Sequence, residues 1–277
     1  MLFDCGEGTQ RQMMRYATGF SLERIFFTHL HADHFLGVVG LMRTMALQGR
    51  EAPLRLYGPP GAREILRQAV SLGVERVRFP VEIEELHPGE RVERDGYDVV
   101  AYAVEHGTSA VGYAVREHLR RGRFDVEKAR AMGIPEGPLF GKLHAGEPVE
   151  MSGRIIRPEE VVGPSRPGRT VVYTGDTRPA RATVEEARSA ELLVHDATFG
   201  DEEAARARET YHSTAREAGE VAREAGVRRL VLTHVSARYS ESPRTLEDEA
   251  REAYPGAVVA WDGYTVEIPY DDSERER

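Results

Sequence analysis

Residues 26–34 read Phe26-Phe27-Thr28-His29-Leu30-His31-Ala32-Asp33-His34, the most informative segment of the chain. Residues 24–28 are rich in β-branched and aromatic side chains, which predicts a short buried strand. Residues 35–45 carry apolar side chains at helical spacing, which predicts a helix. The polar cluster therefore lies in a strand-to-helix turn at the carboxyl end of a strand, where open α/β sheets bind their ligands.

The side chains of this turn are typical of a metal site. Imidazole and carboxylate groups at this density suit a divalent cation such as Zn²⁺. Side chains two positions apart in an extended turn point the same way, so His29 and His31 are expected to bind one ion and Asp33 and His34 a second. Two ions that share a water are a known means of cleaving phosphate esters. The alternative is that these are surface or core histidines that bind no metal. That explanation would suit one isolated histidine, but it suits the pattern His-x-His-x-Asp-His poorly.

Other predicted strands also end in potential metal ligands. The strands that close at Val104, Thr174, Val194 and Thr233 are each followed within two positions by His or Asp. If these ends meet at one sheet edge, they supply enough donors for two ions: His29, His31, Asp33, His34, His106, Asp176 and His234. Asp176 is the expected bridge, because a carboxylate has two oxygens and a neutral imidazole has one free lone pair.

The bulk composition is that of a soluble globular protein. The chain has 277 residues, of which 40% are hydrophobic and 30% charged, enough for one large or two small α/β domains. No apolar run approaches the roughly 20 residues of a membrane helix, and no signal peptide is visible. Cys5 is the only cysteine, which excludes an internal disulfide and makes a cytoplasmic location the default. We interpret Cys5 as a small core residue, not a metal ligand or a nucleophile.

The charge of the chain is uneven. The net charge is −9, but residues 116–169 contain eleven Lys or Arg and eight Asp or Glu, a local balance of +3. A basic segment on an acidic body is where a polyanion would bind, although composition alone leaves a solvated surface loop equally open. Residues 133–146 are dense in Gly and Pro, so we interpret residues 116–169 as an inserted flexible arm that projects from the body.

Three smaller expectations concern single elements. Asp4 follows a strand end, where it would either orient a metal-bound histidine or cap the chain locally. Ser213 is the predicted N-cap of a helix that reaches Ala225. Residues 265–268 are predicted to form a final strand. A strand that ended at residue 3 would be unusually short, which suggests that the chain lacks preceding sequence.

The sequence resembles the ribonuclease Z family, the tRNA 3′-processing endoribonucleases of the metallo-β-lactamase superfamily. The matching segments are residues 3–10, 28–34, 137–143, 174–178, 195–199, 211–214 and 233–239. The histidine motif is shared by the whole superfamily. The Gly-Pro segment at Gly137-Pro138 and the His212-Ser213-Thr214 motif are far more specific.

The resemblance implies an α/β fold, a four-layer αββα sandwich with a protruding arm. Residues 1–277 would form a single domain that lacks the family's usual first strand. It also implies two Zn²⁺ ions per subunit. His29, His31, His106 and Asp176 would hold one ion, and Asp33, His34, Asp176 and His234 would hold the other.

The resemblance further implies roles in catalysis. Asp33 would accept a proton from the attacking water, and His212 would donate one to the leaving group, oriented by Asp196. The family usually has Glu at the position of Asp196. The arm, with Gly137, Pro138 and Lys142, would bind precursor tRNA, and in a cytoplasmic homodimer each arm would serve the other subunit's site.

The implied reaction is removal of the 3′ trailer from a tRNA precursor, which leaves a 3′-hydroxyl on the tRNA and a 5′-phosphate on the trailer. The alternative within enzymes is a hydrolase of small phosphodiesters or esters, which needs no basic arm. The alternative from another class is a catalytically inactive binding protein, which metal analysis would distinguish.

Overall fold

The computed structural model describes residues 1–74 and 77–270. Within them the chain forms two compact units. The larger unit comprises Met1–Arg116 and Thr170–Arg277, of which the last seven residues lie outside the described part, and the smaller unit comprises Glu117–Arg169. None of the helices in the described ranges has the length and apolar character needed to cross a membrane.

The strands are short and the helices have moderate lengths. The strands are β1 (Leu2–Phe3), β2 (Arg24–Phe26), β3 (Leu54–Gly58), β4 (Val81–Glu85), β5 (Arg91–Arg94), β6 (Tyr97–Ala103), β7 (Val111–Glu117), β8 (Val149–Met151), β9 (Arg154–Ile156), β10 (Thr170–Tyr173), β11 (Leu192–Asp196), β12 (Leu230–Thr233) and β13 (Ala257–Val259). The helices are α1 (Thr9–Arg15), α2 (Ala32–Phe35), α3 (Gly37–Leu47), α4 (Ala62–Ser71), α5 (Val126–Ala131), α6 (Pro138–His144), α7 (Arg181–Glu186), α8 (Ala204–Glu209), α9 (Ala215–Ala225) and α10 (Pro243–Ala253).

The larger unit contains two sheets. One has the order β1-β2-β3-β4 and is parallel throughout. The other has the order β13-β12-β11-β10-β7-β6-β5. Its strands β10 to β13 are parallel, whereas β7 pairs with β10 in the antiparallel sense. The loops that follow β10, β11 and β12 therefore leave the seven-stranded sheet at the carboxyl ends of its parallel strands. The loop that follows β2 leaves the four-stranded sheet in the same way.

Three apolar clusters bind these sheets and helices into four layers. One cluster lies between the first sheet and α1, α3 and α4, and another between the second sheet and α7, α9 and α10. The third lies between the two sheets. The order is thus helix, sheet, sheet, helix, which is the αββα sandwich that the resemblance implied.

Aromatic side chains fill the space between the sheets directly behind the histidine turn. Phe26 stacks on Tyr57 with ring centroids 4.7 Å apart and meets the edge of Tyr113 at 5.3 Å. The hydroxyl of Tyr113 donates to the carbonyl of Phe27 at 2.8 Å. Full burial of a side chain of this size contributes about 1.5–3 kcal/mol, so the strand that carries the histidines is firmly anchored.

The smaller unit has an apolar cluster of its own. Ala129, Ile134, Leu143, Val149 and Ile156 are buried together. The Gly and Pro content of residues 133–146 suggested an irregular, flexible segment, and this was wrong for Pro138–His144, which forms α6. Proline suits the first position of a helix, where its missing N–H is not needed, and Leu143 buries the apolar face.

The predicted final strand was also wrong. Residues 265–268 lie in the described part of the chain but form no strand. Their side chains alternate between apolar and polar, as in a strand. A strand forms, however, only where the backbone pairs with a neighbouring strand.

Candidate metal centre

The turn after β2 carries four potential ligands. His29 is fully buried, and His31 is extended at the start of α2 with φ −67° and ψ 150°. Asp33 and His34 lie within the single turn of α2. The backbone therefore changes from extended to helical between these two pairs of residues, while the rings of His29 and His34 lie with centroids 4.1 Å apart.

The remaining predicted ligands come from the ends of other strands. His106 follows β6, Asp176 follows β10 and His234 follows β12. These three strands belong to the seven-stranded sheet, whereas β2 belongs to the four-stranded one. The expectation that all donors meet at one sheet edge was therefore wrong, because the centre lies where the carboxyl ends of both sheets meet.

The structure brings the predicted ligands of the first ion together. Donor atoms of His29, His31, His106 and Asp176 all lie within 4.8 Å of one another. The Nε2 of His106 is 3.3 Å from the Nδ1 of His31, and the Nε2 of His29 is 3.6 Å from Asp176 Oδ2. This spacing suits one cation in the middle of the group.

The predicted ligands of the second ion form an adjoining group. Asp33, His34 and His234 have donor atoms within 4.8 Å of one another. Asp176 reaches this group too, with Oδ1 3.3 Å from His34 Nε2 and Oδ2 3.3 Å from His234 Nε2. Asp176 therefore stands between the two groups, at the place expected of a bridging carboxylate.

Hydrogen bonds fix which nitrogen faces the centre in three of the rings. His34 Nδ1 lies 2.9 Å from Asp4 Oδ2, His106 Nδ1 lies 3.1 Å from the carbonyl of Tyr211, and His234 Nδ1 lies 2.7 Å from the hydroxyl of Thr198. Each partner accepts a proton from Nδ1, which leaves the lone pair of Nε2 for a cation. Asp4 thus orients a histidine, which decides the alternative that the sequence left open.

Two buried atoms at the centre lack partners. Among the described residues, His29 Nε2 and Asp176 Oδ1 are buried and make no hydrogen bond. A buried polar atom without a partner costs about 1–3 kcal/mol, so such a pair at the meeting point of the donors is the arrangement that a bound cation would complete. The residues present therefore fit a divalent metal.

The ionisation of these groups agrees with a cation site. Burial lowers the pKa of His29 to about 3, so its ring is neutral and ready to bind. Burial opposes a charge on His34, but the contacts with Asp176 and Asp4 prevail and raise its pKa to about 10. The contact with His234 lowers the pKa of Asp33 to about 2. The ionised carboxylates thus draw positive charge to the centre. A proton on His34 Nε2 supplies that charge when no metal is bound, and a bound cation would replace this proton.

The predicted proton donor lies at the edge of the metal groups. His212 Nδ1 is 2.9 Å from Asp196 Oδ2 and 3.9 Å from Asp176 Oδ2. Its ring stacks on that of His234 with centroids 5.1 Å apart and 9° between the planes. Asp196 is fully buried and contacts His212 directly, although it is shorter than the Glu usual in the family. Nδ1 is therefore held by Asp196, and Nε2 is the atom that can carry a proton to a substrate.

Sequence reasoning missed one hydroxyl that links these parts. Thr198 Oγ1 donates to Asp196 Oδ1 at 2.6 Å and contacts both His212 Nδ1 at 3.1 Å and His234 Nδ1 at 2.7 Å. It therefore joins a predicted ligand to the predicted proton donor. Its sequence signals were its position two residues after Asp196 and its place in the matching segment 195–199.

The predicted arm residues lie in the smaller unit. Gly137 precedes α6 with φ 122°, Pro138 begins the helix, and Lys142 lies in its last turn. A basic group surrounds a surface cavity of about 450 Å³ near this helix; it includes Arg120, Arg121, His144 and Arg166.

Fold and site together define a metallo-hydrolase of the beta-lactamase superfamily. The sequence matches the beta-lactamase superfamily domain over residues 1–124 and 147–235. It is 57% identical to the ribonuclease Z of Myxococcus xanthus, over 98% of this chain and 89% of that protein. It is also 57% identical to the ribonuclease Z of Haloferax volcanii, over 99% of this chain and 87% of that protein.

The chain belongs to the ribonuclease Z family and is an endoribonuclease. Among solved structures it is similar to the short form of human tRNase Z, with a TM-score of 0.68 and 25% identity over 97% of this chain and 88% of that one. The resemblance drawn from the sequence motifs and the αββα fold are both confirmed.

Proposed function

We propose that this protein is a zinc-dependent endoribonuclease that removes the 3′ trailer from tRNA precursors. The observation that carries the proposal is the meeting of the six other predicted ligands around Asp176, beside the His212–Asp196 pair, in a chain of the ribonuclease Z family. His29, His31, His106 and Asp176 would hold one Zn²⁺, and Asp33, His34, Asp176 and His234 the other. When bound, two such ions activate a water and offset the charge on the phosphoryl group.

The side chains of this protein would move two protons during the reaction. Asp33 is ionised, and 66% of its side chain is exposed, so it can accept a proton from the attacking water. His212 Nε2 would donate a proton to the ribose 3′-oxygen as the bond to phosphorus breaks, while Asp196 holds Nδ1. The products are a 3′-hydroxyl on the tRNA and a 5′-phosphate on the trailer. Proton transfer of this kind contributes typically 10²–10⁴-fold to a rate.

The smaller unit would bind the body of the precursor tRNA. Arg120, Arg121 and Arg166 surround the surface cavity described above, and backbone carbonyls hold their guanidinium groups in place. Guanidinium groups pair well with phosphate, and phosphate contacts supply most of the affinity for RNA of any sequence. We extend the proposal to Gly137, Pro138 and Lys142 of the arm, to a cytoplasmic location and to a homodimer in which each arm serves the other subunit.

Cleavage of a labelled tRNA precursor tests this proposal. We expect the purified protein with Zn²⁺ to cut the precursor once, next to the discriminator nucleotide, and to leave the stated ends. Asp33→Ala should abolish the cut while the variant still binds the precursor in a gel-shift assay. Near wild-type turnover by Asp33→Ala, or hydrolysis of small phosphodiesters without cleavage of the precursor, would contradict the proposal.

A further inference from the structure

A half-buried ion pair lies behind the loop that carries His212. Arg178 NH1 and NH2 donate to the two carboxylate oxygens of Glu217 at 2.7 and 2.5 Å. The side chains are only 13% and 21% exposed. A two-pronged pair of this kind fixes the plane of the guanidinium group as well as its position.

The same guanidinium group also holds the His212 loop. Arg178 NH1 donates to the carbonyl of His212 at 2.5 Å, and the hydroxyl of Ser213 donates to the carbonyl of Thr177 at 2.6 Å. The loop is thus joined to residues 177 and 178 at two successive positions. Asp176, the bridging carboxylate of the metal centre, directly precedes them, so one three-residue segment sets the distance between the metal donors and His212.

The backbone of this loop is strained just before the histidine. Tyr211 has φ +60°, a left-handed conformation that costs a side-chain-bearing residue about 1–2 kcal/mol. Its carbonyl receives the Nδ1 proton of His106 at 3.1 Å. Strain of this kind persists only where the surroundings hold it, and here the contacts lie on both sides, from His106 and from Arg178.

We propose that Arg178, held by Glu217, is a positioning residue that fixes His212 for proton donation to the leaving oxygen. The proposal rests on the proposed function, in which His212 donates that proton. Without the guanidinium group, the carbonyl of His212 loses its partner and the loop can relax from the strained conformation. The ring would then drift from Asp196 and from the departing oxygen, and displacement of a catalytic group by about 1 Å can cost 10²-fold in rate.

Two substrates with different leaving groups test this directly. The ribose 3′-oxygen of a tRNA precursor needs a proton to depart, whereas the nitrophenolate of bis(p-nitrophenyl) phosphate departs without one. For Arg178→Ala we expect kcat on the precursor to fall about 10²-fold, with KM within about threefold of the wild type. The loss of kcat on the nitrophenyl ester should be at least about tenfold smaller than that.

Two further variants separate positioning from folding. Arg178→Lys keeps the positive charge but cannot donate to both oxygens of Glu217 as a guanidinium group does. Its kcat on the precursor should therefore lie between those of Arg178→Ala and the wild type. Glu217→Gln keeps the shape and frees the guanidinium group, so it should show the same selectivity between substrates with a smaller loss, and it decides the question if Arg178→Ala does not fold. Arg181→Ala is the matched control, because Arg181 pairs with Glu185 at the surface with 91% of its side chain exposed.

Equal losses on both substrates, accompanied by loss of bound zinc, would overturn the inference in favour of a general structural role. Unchanged kcat on the precursor for both Arg178→Ala and Glu217→Gln would also overturn it. Failure of the wild-type protein to cleave the precursor would instead contradict the proposed function, and the inference with it, before any variant is compared.

Discussion

The carboxylate oxygen Oδ2 of Asp4 lies 2.9 Å from the Nδ1 atom of His34. The same oxygen receives the hydroxyl protons of Thr28 at 2.9 Å and Tyr173 at 2.8 Å, so Asp4 joins β1, β2 and β10 behind the metal centre. Because Thr28 also contacts His29 Nδ1 at 3.1 Å, this one carboxylate helps to orient a ligand of each proposed ion.

Replacement of Asp4 should weaken metal binding without removing any ligand. In Asp4→Asn an NH₂ group replaces one carboxylate oxygen. This group is a donor, so it cannot accept the Nδ1 proton of His34. We expect the affinity for Zn²⁺ to fall about 10–100-fold, the usual cost of losing such an orienting partner. Competition with a chromophoric chelator measures the affinity. Asp95→Asn, on an exposed hairpin, is the control, and equal affinities for the two variants would show that Asp4 does not orient His34.

Loss of His212 should slow cleavage more than it affects substrate binding. We expect His212→Ala to lower kcat on a tRNA precursor by about 10²-fold or more, as the loss of a proton donor does. Asp196→Asn should also lower kcat. In the wild type the backbone N–H groups of Thr177 and Thr198 donate to the two carboxylate oxygens of Asp196, and in the variant one of them would face the amide NH₂. Single-turnover assays measure the rate. Turnover by His212→Ala at the wild-type rate would exclude this residue from the mechanism.

Replacement of arginines in the smaller unit should weaken binding of the precursor. We expect Arg121→Ala to raise KM for a tRNA precursor by a larger factor than KM for bis(p-nitrophenyl) phosphate, and to reduce the salt dependence of binding by about one phosphate contact. Substitution is preferable to deletion of residues 133–146, because Ile134 and Leu143 belong to the buried cluster of this unit. Arg154→Ala is a control at an exposed pair, and equal changes for the two variants would contradict a specific role of Arg121.

Gly175 should be intolerant of a side chain for two separable reasons. Its φ of +61° disfavours other residues, and a Cβ atom would lie 2.6 Å from the Cβ and Oγ1 of Thr28. Gly226 has φ +64° but open space around it, so Gly226→Ala carries the strain alone, about 1–2 kcal/mol. We expect Gly175→Ala to lower the free energy of unfolding further and to displace Thr28 and Asp176. Urea denaturation measures the free energy of unfolding of both variants. Equal losses would mean that Thr28 moves away from the new Cβ without destabilising the fold.

The sequence signal for the predicted donors is local. Each lies in a loop or turn that follows an apolar strand, and His-x-His-x-Asp-His has no common structural explanation. What sequence could not predict was how the strands are divided between sheets, because pairing partners are set by distant residues. Thus His106, Asp176 and His234 come from a different sheet than His29, although all meet at one centre.

The orienting residues were harder to predict than the donors. Thr198, Arg178 and Glu217 are common residue types whose roles arise only from contacts across the fold. At Ser213 the prediction failed by one position, since Thr214 caps α9 and Glu217 completes the capping box. The hydroxyl of Ser213 is thereby free to bind Thr177 and to hold the His212 loop. Local capping rules cannot distinguish two adjacent hydroxyl residues when tertiary contacts decide between them.

The zinc content of the purified chain tests the proposed dinuclear centre most directly. After removal of metal with a chelator and titration with Zn²⁺, elemental analysis should find two tightly bound ions per chain in the wild type. Asp176→Ala should lose both, because its two oxygens serve both donor groups. A wild-type chain that binds no zinc, or an Asp176→Ala variant that retains two ions, would contradict the dinuclear centre on which the proposed reaction depends.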